Sequence, residues 1–329
     1  ACLDTHAIER ARGITIFSKQ ARISTEHLEI TLVDTPGHVD FSAEAERVMP
    51  ILDCALLVIS AADGIQAHTR TLWNLLERYN VPVVLFINKM DLPDTDKGRI
   101  LSQLQSQLSP NCVALDENLR ENAAMCDEAL LENFLESGTV TDGNIRSLVA
   151  GRKLFLCGFG SGLKLTGIEE FLAALDLYLP RPQWPGEFGA RVYKISRDPQ
   201  GNRLTWLKVT GGSLRVRRTL AAGGEKEEKI LQIRQYSGEK YTTPEEIPAG
   251  ALAAVTGLAN TYIGQGLGTE PAAAPPSLEP VMTYRVVLPQ GADPALVLPK
   301  LRLLEEEEPQ LHLLWENGRI LVQIMGKVQ

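Results

Sequence analysis

Two short strings carry the side chains in this chain best suited to chemistry: Asp34-Thr35-Pro36-Gly37-His38 and Asn88-Lys89-Met90-Asp91. Asp34 follows Ile30-Thr31-Leu32-Val33, so its carboxylate projects from a strand end, where it can hold a Mg²⁺-bound water. Gly37 has no side chain to keep its N–H from a terminal phosphate. His38 can orient a water for in-line attack on a γ-phosphorus, a task of positioning rather than of strong basicity. Asn88 and Asp91 bracket Lys89 after an apolar run at residues 81–87. A carboxylate there accepts from both N1–H and N2–H₂ of guanine, a pairing adenine cannot offer, while the lysine stem packs on the base. Ser161-Gly162, after a third apolar run, can point a backbone N–H at guanine O6. Thr15 stands 19 residues before Asp34, in Arg12-Gly13-Ile14-Thr15-Ile16; its hydroxyl can complete a Mg²⁺ shell while its backbone faces the γ-phosphate. The expected ligands are GTP or GDP with Mg²⁺. A scan for the phosphate-cradling string G-x-x-x-x-G-K-[ST] finds none in the 329 residues.

The elements that must hold these loops read as strands alternating with helices. Residues 15–26 and 28–34 form two strands joined by a polar turn at Glu26-His27, and a helix runs from about 40 to 48. Apolar runs at 54–62, 81–87 and 153–159 are buried strands, with helical patterns through Leu72, Leu75, Leu76 and Tyr79 and over 168–178. That order predicts an α/β doubly wound parallel sheet whose ligand sits at the carboxyl ends of the strands. Residues 93–151 read as a mostly helical insertion, with 118–136 its clearest amphipathic piece. Pro180, Pro182 and Pro185 mark a linker. From 190 to about 268 the pattern changes to short strands and glycine-rich turns (Gly211-Gly212, Gly223-Gly224), which predicts a β-barrel. After Ala272-Ala273-Ala274-Pro275-Pro276, a β-α-β-β order begins a ferredoxin-like unit. The expected domains are therefore 1–182, 187–270 and a partial 278–329.

Composition fits a globular protein: 44% hydrophobic and 22% charged residues, with no apolar run near the roughly 18 residues of a membrane span. Five scattered cysteines without a C-x-x-C pair argue against a disulfide framework or zinc site and fit a reducing cytoplasm. The net charge is −8, but residues 189–220 hold eight basic residues against Asp198 alone. This +7 segment reads equally as a solvated face or as an RNA-backbone contact. His6, His27, His68 and His312 lack metal-ligand spacing. Residues 305–308, four glutamates, read as a solvated helix end, and Trp206 and Trp315 as packed hydrophobes.

Three strings in order, Glu9-Arg10-x-Arg12-Gly13-Ile14-Thr15-Ile16, Asp34-Thr35-Pro36-Gly37-His38-Val39-Asp40-Phe41 and Asn88-Lys89-Met90-Asp91, resemble the translational GTPases of the elongation factor G type. Within that group, residues 59–70, Gly264-Gln265-Gly266-Leu267-Gly268 and Met325-Gly326-Lys327-Val328-Gln329 more closely resemble the tetracycline-resistance ribosomal protection proteins. The resemblance implies a P-loop-GTPase-type fold and a ribosome-dependent GTPase in the full-length parent. It also implies a cytoplasmic monomer whose partners are the bacterial ribosome, its RNA and proteins, and guanine nucleotide, with no membrane. By position, Thr15 becomes the switch threonine, Asp34 the Mg²⁺-water ligand, Gly37 and His38 the catalytic pair, and Asn88, Lys89, Asp91, Ser161 and Gly162 the base pocket. The family's phosphate loop and first strand are expected upstream of Ala1, and its later domains after Gln329. The 329 residues alone are thus expected to be inactive, with apolar neighbours of the missing strand exposed. The alternatives are an elongation factor G-like translocase, a non-hydrolysing ribosome-binding paralogue, and an initiation- or termination-type factor.

Overall fold

The apolar run around Val83 becomes the most deeply covered strand of a computed structural model that describes residues 15–16, 18–222 and 227–328. Arg12, Gly13 and Ile14, with the other residues of the first string up to them, and Gly223-Gly224 lie outside the described residues. Packing divides the chain into two compact units, one holding the described residues up to Ile23 with 29–51 and 183–328, the other Ser24–Leu28 with Leu52–Pro182.

A short hairpin comes first, with β1 (Lys19–Ser24) and β2 (Glu29–Asp34) forming a two-stranded sheet of their own. Strand β1 starts at Lys19 rather than at residue 15, so Thr15 and Ser18 precede it. A 3₁₀ turn (Val39–Phe41) leads into helix α1 (Ser42–Val48) and a second turn (Met49–Ile51) ends it.

The second unit contains β3 (Ala55–Ser60), α2 (Ala67–Arg78), β4 (Val83–Asn88), α3 (Lys97–Gln107), β5 (Cys112–Ala114), α4 (Leu119–Ala124), α5 (Glu128–Ser137), α6 (Asp142–Ala150), β6 (Phe155–Phe159) and α7 (Ile168–Tyr178). Its four strands are all parallel in the order β3-β4-β6-β5. Helices cover both faces of such a sheet, so its strands read as unbroken apolar runs, and Leu85 and Ile87 have no exposed surface. The region read as an insertion contributes β5 to the sheet, a strand too short at three residues to register as a run. Its amphipathic stretch is two helices, α4 and α5. At the other edge, Leu56 and Val58 on one face of β3 are 40% and 55% exposed while Leu57 and Ile59 are buried.

The later part of the first unit is antiparallel. Strands β7 (Gly189–Arg197), β8 (Arg203–Gly211), β9 (Ser213–Arg215), β10 (Thr219–Ala221), β11 (Glu227–Lys229), β12 (Gln232–Ser237), β13 (Lys240–Thr242), β14 (Glu246–Pro248), β15 (Leu252–Thr256) and β16 (Gly266–Gly268) follow in turn. Six pair in the order β13-β12-β15-β8-β7-β16, with β14-β9 and β10-β11 beside them, around Val192, Leu207, Ile233 and Val255. Then come β17 (Met282–Arg285), α8 (Pro294–Glu307), β18 (Leu314–Glu316) and β19 (Arg319–Ile324), in the order β17-β19-β18. Asn317 and Gly318 both have positive φ, as a tight two-residue hairpin turn requires. Among the described residues no helix is long and apolar enough to cross a membrane.

Candidate functional site

The residues expected to read a base sit where β4 and β6 end. Gly160 N–H donates to the Ile87 carbonyl (2.9 Å) and Met90 N–H to the Gly160 carbonyl (3.0 Å), so the two strand-end loops are sewn together. Lys89 takes a left-handed φ of 65°, a conformation costing an ordinary residue about 1–2 kcal/mol. The Asn88 side chain compensates: its Oδ1 accepts from Lys89 N–H (2.8 Å) and from Gly162 N–H (2.8 Å). The sequence aimed the Gly162 N–H at guanine O6; the structure directs it to Asn88, making it the clasp between the loops. A Cβ on Gly160 would fall 2.2 Å from the Thr166 carbonyl oxygen, so only glycine fits there.

Asp91 lies in that clasp with 16% of its side chain exposed, and the Lys164 Nζ is 3.7 Å from its Oδ2. The Ser161 hydroxyl foremost, with the Lys164 ammonium, holds the Asp91 carboxyl below the usual carboxylate range, against a smaller effect of burial. Ser161 is itself buried, its N–H on the Thr166 carbonyl (3.0 Å) and its Oγ accepting from Lys164 N–H (3.2 Å). An ionised carboxylate with an accessible edge is what two guanine donors require. Lys89 extends its stem outward, its Nζ 3.8 Å from Asp63. Sequence reasoning did not single out Lys164, because one lysine in a loop carries no spacing signal.

In the first unit, Asp34 is the last residue of β2. Pro36 is buried and Gly37 exposed; a Cβ on Gly37 would meet nothing within 4 Å, so its surroundings admit a ligand. His38 precedes the 3₁₀ turn, and its Nδ1 accepts the Asp40 N–H at 3.1 Å. That bond occupies Nδ1 and leaves Nε2 as the ring nitrogen that could meet a water. Asp40 is fixed in turn by Val328 N–H (2.7 Å), and Gly326 passes so close that a Cβ would be 2.2 Å from its carboxylate. Thr15 stands just ahead of buried Ser18.

Helix α1 carries a second set of residues that the sequence reading missed. Glu44, Glu46 and Arg47 are 5%, 1% and 7% exposed, unusual for charges on a seven-residue helix. Glu46 accepts from Ser277 N–H (2.7 Å), Ser277 Oγ (2.6 Å) and Leu278 N–H (2.9 Å). Arg47 pairs with Glu44 (3.3 Å) and Glu308 and donates to the Glu307 carbonyl (3.0 Å). Nothing in the pattern Ser-Ala-Glu-Ala-Glu-Arg-Val distinguishes this from a solvated face.

The basic segment is largely neutralised within its own unit. Arg197 pairs with Glu306 and Glu307, Arg203 with Glu306, Arg191 with Glu270, Arg215 with Glu246 and Lys194 with Glu44. Lys208 donates to the Ile51 carbonyl (2.8 Å), and Arg218 lies 3.9 Å from the Phe188 ring centre. The glutamates read as a solvated helix end are therefore ion-pair partners: against the cost of burial, Arg197 and Arg203 hold Glu306 below its usual range. Trp206 packs as expected, its ring 4.8 Å from Tyr236, whereas Trp315 is 45% exposed.

A parallel α/β sheet with helices alternating between its strands fits a nucleotide-binding domain of the P-loop GTPase type. The chain belongs to the family described as the elongation factor Tu GTP binding domain, whose model matches residues 1–181. The whole fold is similar to a crystal structure from Thermus thermophilus, with a TM-score of 0.88 at 22% identity. That similarity covers 99% of this chain, and the chain spans 58% of that structure's length.

Proposed function

We propose that the full-length protein binds GTP and hydrolyses it on the bacterial ribosome as a cytoplasmic, monomeric translation factor, and that it belongs to the tetracycline-protection branch. The single observation that carries the reading is the clasp at Asp91: an ionised carboxylate held by Ser161 beside an Asn88 fixed by Gly162. It suits guanine and no adenine donor pattern. Residues 1–182 serve as the nucleotide domain, with 187–270 and 278–329 as further domains. The strings at 59–70, 264–268 and 325–329 support the protection branch over a general translocase.

In this reading, Asn88, Lys89, Asp91, Ser161 and Gly162 bind the base, and Gly37 and His38 attend the γ-phosphate and its attacking water. Among the described residues no cluster of three or more His, Cys, Asp or Glu could hold a metal by itself. The oxygen donors Thr15 and Asp34 instead suit Mg²⁺, which usually keeps waters and substrate phosphates in its shell and takes only one or two protein ligands. Thr15 would bind it directly and Asp34 through a water; when bound, it supplies charge neutralisation on the phosphates. Because the 329 residues contain no phosphate-cradling string, they hydrolyse GTP poorly by themselves. Hydrolysis by the full-length protein with ribosomes tests the reading: His38→Ala is expected to lose at least about a hundredfold in rate while binding GDP normally. Equal rates would reject the role of His38.

A further inference from the structure

Ser18, Glu44 and Lys194 come from three different elements and meet in one buried cluster. Ser18 precedes β1, Glu44 lies in α1 and Lys194 in β7. Glu44 Oε1 accepts both the Ser18 N–H (3.1 Å) and the Ser18 Oγ–H (2.6 Å). Lys194 Nζ donates to the Ser18 carbonyl (2.8 Å) and lies 3.7 Å from the same Glu44 oxygen. The backbone N–H, carbonyl and hydroxyl of Ser18 are thus all fixed by two side chains. Burial opposes the charge on Glu44, yet Arg47, Lys194 and Ser18 together bring its carboxyl down to about 2.

A cluster built only to pack a helix would not need to saturate one serine of an irregular segment. That segment matters because of its neighbour: Thr15 is three residues upstream of Ser18, and α1 begins four residues after His38. Three residues of chain span at most about 10 Å, so fixing Ser18 keeps Thr15 within about 10 Å of that anchor. One carboxylate therefore ties the segment carrying Thr15 to the helix that continues the His38 loop.

We propose that Glu44 is a positioning residue for GTP hydrolysis, holding the Thr15 segment in register with residues 34–38 through its two bonds to Ser18. The proposal rests on the reading of Thr15 and His38 as the phosphate-side groups. Misplacing such groups by about 1 Å costs on the order of a hundredfold in rate. Base binding draws on residues 88–91 and 161–162 and is not touched by this cluster's chemistry. The expected signature is a loss of kcat without loss of nucleotide affinity.

The test uses full-length protein with ribosomes, measuring single-turnover GTP hydrolysis, GDP affinity and thermal melting for Glu44→Gln, Ser18→Ala, Ser18→Thr and His38→Ala. Glu44→Gln should lower the rate about ten- to a hundredfold and Ser18→Ala about tenfold, with GDP affinity within about twofold. Ser18→Thr, which keeps the hydroxyl, should restore a rate near that of the parent. Should Glu44→Gln not fold, Ser18→Ala and Ser18→Thr carry the test alone. Rates within twofold of the parent for Glu44→Gln and Ser18→Ala, with His38→Ala inactive, would overturn the proposal and leave the function standing. A parallel fall of rate and GDP affinity would also overturn it, in favour of simple structural support. A fully active His38→Ala would reject the underlying functional reading instead.

Discussion

Arg47 offers the sharpest test of how the first unit is held together. Its side chain is 4% exposed and lies between Glu44, 6% exposed, and Glu308, 26% exposed. Arg47→Met keeps most of the stem volume and removes the guanidinium, leaving Glu44 with Lys194 as its nearest cation and Glu308 with none in direct contact. Breaking a buried pair by removing one partner costs about 3–5 kcal/mol, because the other charge stays buried uncompensated. For a unit of this size that lowers Tm by on the order of 10 °C. The deficit should depend on pH with a definite sign. In the parent, Glu44 is held at about 2, below its ordinary 4.5, so its contribution is complete above pH 4.5 and is lost as pH falls toward 2. Burial already pushes Glu308 above its ordinary value, with Arg47 opposing. Without Arg47 both carboxyls rise, so acidification from pH 7 to pH 5 should narrow the gap between variant and parent. Calorimetric melts at the two pH values measure this, and adding Glu308→Gln should recover part of the loss. A melt within about 2 °C of the parent at pH 7, with no pH dependence, would show instead that water screens the network and that Arg47 is not its buried counter-charge.

Two further outcomes follow from the geometry. Gly160→Ala places a methyl 2.2 Å from the Thr166 carbonyl oxygen and 2.9 Å from Phe86, so the loop must shift; full-length protein should lose at least about tenfold in GDP affinity by fluorescence titration. Arg215→Glu with Arg217→Glu should leave ribosome pelleting unchanged, because Arg215 is paired with Glu246 and most of its basic neighbours are engaged internally; a clear loss of pelleting would restore the RNA-contact reading.

How much of this was legible depended on the range of the signal. Strand β4 and helix α7 were readable because a buried strand of a parallel sheet is one apolar run and Ile168–Tyr178 repeats its apolar residues at helical spacing. The clasp at Asp91 was legible as residues, since Asn88 ends one readable strand and Asp91 and Ser161 follow within three residues of a readable strand's end. The bond from Gly162 to Asn88 was not, because it joins residues 74 apart in sequence. Strand β5 escaped because three residues make no period. The charges misled most. A run of glutamates at 305–308 reads as a solvated helix end, and the +7 segment equally as a solvated face or an RNA contact, yet Arg197 and Arg203 meet Glu306 across more than 100 residues. Local sequence carries no record of such pairing, and the buried charges of α1 were hidden for the same reason.

In the proposed function, the Asp91 clasp reads guanine. Asp91→Asn in the full-length protein exchanges one acceptor of the carboxylate for an amide donor. The variant can still accept from guanine N1–H, but it now faces the N2 amine with N–H groups; xanthine, with a carbonyl at that position, becomes the better match. Competition of GDP and xanthosine diphosphate against a fluorescent nucleotide should show GDP affinity falling by about tenfold or more, since a charge-assisted bond is worth about 1.5–3 kcal/mol. Xanthosine diphosphate should gain relative to GDP. Unchanged GDP affinity with no gain for xanthosine diphosphate would contradict the account.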